Sequence, residues 1–356
     1  MYTTKPLSLF RSHPEAAAEP LPPEGPNSGY LVVKSARDEE DDEQTMCWGM
    51  TRRVLALPFP QNRVLKVRYG EDEEAVVFVP VPDQPLASNR YYVVGAARGS
   101  RKGLLRACSR EEDMATCCFC QCISDVEPRP FDPADAYQQI EVVQHSRGLF
   151  TAKAVAADGV PPSIYRSKYW EVYESTKKID IGVAPGLDVE LRSRQLAGPV
   201  GKWYCPFFLI REHGVPPRKQ VDRSALYEVV LEQRWEPVRG DAVRHGRDIS
   251  KVASRKVLVG GSVGARSEAA RSWHDGAYVW YVAATGERVG VCTTVWERML
   301  WEQSRGGWVD EEKEAGSVAN GLVLVERFVV KRMDRSEVVA FDFVHHNKVK
   351  VEQGCS

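Results

Sequence analysis

Cys117, Cys118, Cys120 and Cys122 fall in one short run spaced C-C-x-C-x-C. Thiolates this close together are soft ligands for zinc or copper, or the two halves of a redox pair. In a single strand the side chains alternate, so Cys118, Cys120 and Cys122 share one face while Cys117, Phe119 and Gln121 share the other. Tetrahedral zinc sites use two knuckles separated along the chain. Here the thiols form one cluster with no second knuckle farther on, so a metal would need a further ligand such as Cys47, Cys108 or Cys205. Free cysteine otherwise packs as a small apolar residue. The preferred reading is a buried strand. Metal or redox chemistry at Cys117, Cys118, Cys120 and Cys122 is the alternative, and an acylated membrane tether a third.

A serine nucleophile is the next chemistry on offer. Gly260–Gly264 reads GGSVG, the G-x-S-x-G pattern of a strand–turn–helix elbow that exposes a serine oxygen. It follows the strand-like VLV and precedes ARSEAARSW, which reads as helical. Ser262 would attack, with Asp275 or Asp310 as the acid and His345 as the base. That fold needs a parallel sheet with crossover helices, and most of this chain has strands without them. Glycine- and serine-rich turns also join hairpins, so no catalytic residue is assigned.

His274 and Asp275 in WHDG are adjacent and face apart, which makes a turn of that stretch. His345 and His346 point to opposite faces of a strand and cannot share an ion. Trp203, Phe207 and Phe208, beside Lys202 and Arg211, would make a stacking platform for nucleic acid. A run that apolar belongs in a core, and the basic residues do not cluster. No phosphate-binding or dinucleotide fingerprint is present.

The elements that would position these groups are mostly strands. Tyr30–Lys34, Val54–Leu57, Val64–Tyr69, Ala75–Val79 and Arg90–Gly95 are short β-branched and aromatic runs punctuated by proline and glycine, the pattern of antiparallel structure. Val64, Lys66 and Arg68 alternate with Leu65, Val67 and Tyr69, giving one basic-edged face and one apolar face. Ile140–Val143, Leu149–Val155, Lys168–Tyr173, Ile179–Gly182, Leu187–Leu191, Trp203–Arg211, Tyr227–Leu231, Lys256–Val259, Leu322–Lys331 and Glu337–His345 continue it. Asp38–Glu43 reads as a solvated acidic loop. One helix is well marked over 294–304: Thr294 and Glu297 fit a capping box, and Trp296, Met299, Leu300 and Gln303 share a face.

Composition narrows the classes. The 356 residues carry 48 basic and 49 acidic side chains, a net charge of −1, so no overall field draws the chain to nucleic acid or an anionic membrane. No apolar run is long enough for a membrane helix. No signal-type apolar core begins the sequence, and clustered odd-numbered cysteines suit a reducing compartment, the cytoplasm or nucleus. Residues 1–28, rich in proline and alanine, read as a flexible arm. A first β-rich domain with the cysteine cluster follows over 29–156, a boundary at 157–163, and a second β-rich domain with one short helix over 164–350.

PPEGPNSGYLVV (22–33), LPFPQNRVLKVRY (57–69), QPLASNRYYVV (84–94), EEDMATCCFCQC (111–122) and RPFDPADAYQQIE (129–141) together resemble the plant family labelled domain of unknown function 1262. GKWYCPFFLIREHG, YEVVLEQRWE and VWERMLWEQSRGGWV extend the resemblance more loosely. It implies a land-plant protein of a multicopy family without an established activity, catalytic residues or cofactor, and a role in stress or defence.

The sequence therefore points to a mainly β, antiparallel protein with few short helices (α+β being the alternative). The expected function is non-catalytic binding of an unknown protein partner, with no nucleic acid, no cofactor and no transmembrane segment. A cysteine-based metal or redox module and a Ser262 hydrolase are the other readings.

Overall fold

The computed structural model describes residues 1–19, 25–43, 52–117, 120–237, 255–260, 266–305 and 321–351. The protein is mainly β, 47% strand against 20% helix, with antiparallel and mixed sheets and only short helices. It divides into two units. The first comprises Met1–Val183, Pro206–Leu209 and Gly214–Ala225; the second comprises Ala184–Cys205, Ile210–His213 and Leu226–Ser356.

Ten strands belong to the first unit: β1 (Tyr2–Pro6), β2 (Gly29–Val33), β3 (Arg63–Tyr69), β4 (Asp72–Pro80), β5 (Arg90–Gly95), β6 (Met114–Cys117), β7 (Cys120–Ile123), β8 (Gln139–Ser146), β9 (Leu149–Ala154) and β10 (Glu171–Lys178). Six of them form a sheet in the order β10-β3-β4-β5-β8-β9. Its two ends meet. Phe150 of β9 and Trp170, just before β10, exchange backbone hydrogen bonds of 3.0 Å each way. The sheet closes into a barrel and leaves no long open edge.

The barrel is filled by rings: Phe59, Phe78, Tyr91, Phe150, Tyr165 and Trp170 are all fully buried. Trp170 stacks on Phe78 with centroids 6.4 Å apart and planes 4° apart, and meets Tyr165 edge-on at 5.8 Å. Its indole N–H donates to the Tyr165 carbonyl at 2.8 Å, so the largest ring buries no unpaired polar atom. The alternation in RVLKVRY holds in the middle of the strand and not at its ends, where Val64 is buried and Tyr69 exposed. Leu65 and Val67 point into the barrel, while Lys66 and Arg68 face outward and each meets Glu73 at 2.7 Å.

Several expectations are corrected. The start of the chain is an ordered strand: Tyr2–Pro6 runs parallel to Gly29–Val33, and the buried Tyr2 hydroxyl donates to the Pro80 carbonyl at 2.8 Å. A Cβ on Gly29 would come within 2.8 Å of the Tyr2 ring, so glycine permits that approach. Leu7 and Phe10 then pack with Val32 and Leu86. Composition suggests an arm because prolines dominate 14–28, but the apolar residues ahead of them have a surface to cover. The first stretch of the first unit runs to Val183, with β10 paired back onto β3.

Val54–Leu57 is not a strand; only Arg53 bridges to Tyr173. The acidic run lies in a helix, Ala36–Glu43. Ser35 and Asp38 cap it reciprocally, Ser35 N–H to Asp38 Oδ2 at 3.0 Å and Asp38 N–H to Ser35 Oγ at 3.3 Å, and acidic residues suit its positive first turn.

The second unit holds β11 (Gly186–Leu187), β12 (Gly198–Pro206), β13 (Ile210–Glu212), β14 (Leu226–Pro237), β15 (Arg255–Gly260), β16 (Arg266–His274), β17 (Tyr278–Ala283), β18 (Arg288–Cys292), β19 (Gly321–Arg332) and β20 (Glu337–Val351). Their order is β13-β18-β17-β16-β15-β20-β19-β14-β12, with β11 on β12. The predicted helix is present as Thr293–Arg305. It lies on the β17–β20 region, where Trp296 meets Tyr281 at 6.3 Å and Phe341 at 5.2 Å.

Its buried stripe is Val295, Arg298, Met299, Glu302 and Gln303, rotated by about one position from the face read in the sequence. That rotation turns an arginine and a glutamate inward. Ile179–Gly182 is not a strand. Leu187–Leu191 is mostly the helix Val189–Ser193, capped by Asp188, whose carboxylate accepts the Leu191 N–H at 2.9 Å.

Candidate functional site

Cys118 lies outside the described residues, as does Cys47. The cysteine strand is instead a hairpin, β6 paired antiparallel with β7, with Cys117 the register partner of Cys120 and Ala115 that of Cys122. Cys108, Cys205 and Cys292 are buried and free. Burial pushes the Cys108 thiol up to about 12 and the Cys205 thiol up to about 11, so both stay protonated and act as apolar filler. Among the described residues no group of three or more His, Cys, Asp or Glu is placed to hold a metal ion.

Ser262 and Asp310 also lie outside the described residues. The strands flanking Ser262 are antiparallel neighbours, with Gly260 opposite Arg266, and the segment read as helical is strand β16. The strand–turn–helix context of a nucleophile elbow is therefore absent. Asp275 is occupied by its own turn: it accepts from the Ala277 and Tyr278 N–H groups at 3.1 and 2.8 Å and from Trp280 Nε1 at 2.6 Å. Burial opposes its charge, but these donors and Arg211 hold the carboxyl below its usual range. Trp203, Phe207 and Phe208 are buried, so they offer no stacking platform.

Buried ionic clusters went unseen in the sequence. In the first unit Glu174 accepts from Lys34 Nζ at 2.5 Å and Arg63 at 2.8 Å, and Arg63 reaches on to Glu39 at 2.6 Å. Burial drives the Lys34 ammonium down to about 8, with Arg52 and Arg63 adding repulsion and Glu174 opposing. The folded value lies below the unfolded 10.5, so between those limits the unfolded state binds more protons and stability rises with pH. The melting temperature of the protein, relative to that of Lys34→Met, should climb between pH 8 and 10.5. A flat difference across that window would refute the assignment.

The second cluster organises a surface. Arg192, on the helix Val189–Ser193, is buried and makes a bidentate pair with Glu326 of β19, 2.8 Å at both contacts. Planar forks of this kind are strong and directional. His345 Nε2 donates to the same carboxylate at 2.9 Å. Behind them Arg298 pairs with Glu302 at 2.6 Å, and Glu302 lies 3.9 Å from Arg192. Burial works against the Glu326 charge, yet His345 and Arg192 hold its pKa down to about 2.

Two strand side chains of β14 secure the helix backbone. Gln233 donates to the Arg192 carbonyl at 3.1 Å, and the Trp235 indole to the Gln195 carbonyl at 3.1 Å. The helix is thus fastened by polar contacts, with Arg192 its only buried residue. Its apolar residues Val189 and Leu191 are 59% and 40% exposed, and Leu196, beyond the turn that follows, is 54% exposed. An amphipathic surface helix normally does the reverse.

No curated protein matches the chain. Among solved structures it is similar to the crystal structure of Cry35Ab1, at TM-score 0.42 and 8% identity over 82% of this chain and 90% of that one. A likeness of that degree carries no functional argument. Residues 24–119, spanning β2 to β6, match the family model described as Protein of unknown function (DUF1262), the family that the motifs quoted from this region resemble.

Proposed function

We propose that the protein is a non-catalytic binding module whose partner, another polypeptide, docks on the outward apolar residues of the helix Val189–Ser193 and the turn after it. What supports this is the inversion just described: a helix pinned from beneath by Arg192 and Glu326 that shows Val189, Leu191 and Leu196 to solvent. Large apolar side chains left exposed on a fixed support suit a contact surface, and pre-ordering the helix lowers the entropy lost on docking.

The test uses the full chain with a photo-reactive phenylalanine analogue at Leu196, irradiated in extract of the source tissue. A discrete adduct with a second polypeptide is expected. Adding Val189→Asp and Leu191→Asp should weaken its capture roughly thirtyfold, the effect of losing about 2 kcal/mol of anchoring. These side chains are exposed, so melting should be unchanged. Adduct formation that ignores the aspartates, or none at all, would overturn the proposal.

A further inference from the structure

A second surface, in the second unit, has the form of a ligand platform. Trp273 of β16 and Trp280 of β17 are register partners. Their rings stack with centroids 5.9 Å apart and planes 11° apart. Trp280 is the fixed member. Its indole N–H donates to Asp275 at 2.6 Å, and His213 meets its ring edge-on at 6.1 Å. Its register partner on β18 is Gly290, where an added Cβ would sit only 3.0 Å from the indole. Trp280 is 9% exposed, whereas Trp273, resting on it, is 40% exposed. One indole face is thus held rigidly and turned to water.

The rim of this face is polar and balanced. Arg271 lies two residues before Trp273, on the same side of β16 by alternation, Asp275 lies two residues after it in the turn that follows the strand, and both are exposed. The two rings are parallel, which leaves no slot between them for a quaternary ammonium; a cage for such a cation needs faces at an angle around it. One cation against one carboxylate gives no track for a phosphate backbone. A flat apolar face with a hydrogen-bonding rim of no net charge suits a ring that is apolar on its faces and hydroxylated at its edge.

We propose that Trp273, flanked by Arg271 and Asp275, is a carbohydrate subsite that stacks one pyranose ring of a β-linked glucan. In β-glucopyranose every ring hydroxyl is equatorial, so each face presents only axial C–H bonds to the indole. The edge hydroxyls reach outward to the Arg271 guanidinium and to the one acceptor site of Asp275 Oδ2 that Trp280 leaves open. No bond is made or broken.

The same tryptophan pair also braces its hairpin, so the experiment must separate platform from brace. Saturation-transfer NMR on the full chain would be run with cellotetraose, maltotetraose and a single-stranded thymidine oligonucleotide. Transfer to the axial ring protons of cellotetraose is expected. Trp273→Ala should lower its affinity about tenfold, the scale of one aromatic stacking contact, while Trp273→Tyr retains most of it. Arg271→Ala, which leaves the stack intact, should also weaken binding, with near-ultraviolet circular dichroism confirming an unchanged fold. The proposal fails if cellotetraose shows no transfer, if Trp273→Ala binds as well as the parent, or if transfer goes only to the oligonucleotide.

Discussion

Replacing Glu326 by glutamine is expected to destabilise the second unit by about 3–5 kcal/mol, the penalty for leaving a buried charge without its partner. Glutamine keeps the shape but removes the anion that Arg192 grips through two 2.8 Å contacts and His345 through one at 2.9 Å. Amide hydrogen exchange along β19 and β14 would report it, since their backbone pairing surrounds the site. Replacing both ends with apolar residues, Arg192→Met with Glu326→Leu, should cost less than the single change. A loss under about 1 kcal/mol for Glu326→Gln would mean that the cluster is no more than a screened surface pair.

Acid provides an independent check. The folded pKa of Glu326, about 2, lies below its ordinary 4.5. Its contribution is therefore fully present above the unfolded value and is lost as pH falls through the folded one. A depression of that size corresponds to about 3 kcal/mol. The parent should lose stability between pH 4.5 and 2 more steeply than Glu326→Gln, which has already forfeited that contribution.

Trp170→Ala is expected to cost about 3–5 kcal/mol in the first unit, the range for truncating a large buried aromatic. Four rings lose their neighbour at once: Phe59, Phe78, Phe150 and Tyr165 all lie within 6.4 Å of it, centroid to centroid. The cavity would open where the barrel closes, beside the Phe150–Trp170 backbone exchange. Trp170→Phe should cost less, since it keeps a ring and gives up the hydrogen bond to Tyr165. Urea unfolding followed through signals of the first unit distinguishes the two. Equal costs would show that the indole N–H bond, and not the ring volume, holds the seam.

Much of this fold is visible in local pattern. The helix Thr293–Arg305 announces itself by cap and spacing, and β3 by alternation, because both signals lie within a few residues. The pieces that remained hidden depend on distant partners. Nothing near Arg192 says that it is buried, since Glu326 follows 134 positions later. The helix around it is too short for periodicity, and only Asp188 marks its start. ARSEAARSW has helical composition, yet β16 is a strand between β15 and β17, the sheet context overriding propensity. The cysteine hairpin misleads for the opposite reason: the run MATCCFCQCI contains none of the glycine or asparagine that signals a hairpin in a sequence.

The Trp273 platform was legible only as a turn, because WHDG shows the bend and not the ring that β17 lays against it. The other exposed surface was hidden by the habit of reading apolar residues as interior ones. Val189, Leu191 and Leu196 look like strand or core until Arg192 is seen to take the inner place.

The strand order of the second unit bears on how the chain can be made. β14 and β15 are consecutive in sequence, but β19 and β20 stand between them in the sheet. The middle of that sheet therefore emerges from the ribosome after the strands on both sides of it. Until it does, β14 has no partner on one side and β15 none on one of its own, each presenting bare backbone donors and acceptors to any passing strand. Assembly must wait for contacts that are far apart in sequence, which slows folding and prolongs the aggregation-prone interval. The barrel of the first unit, complete once β10 has emerged, faces no such delay.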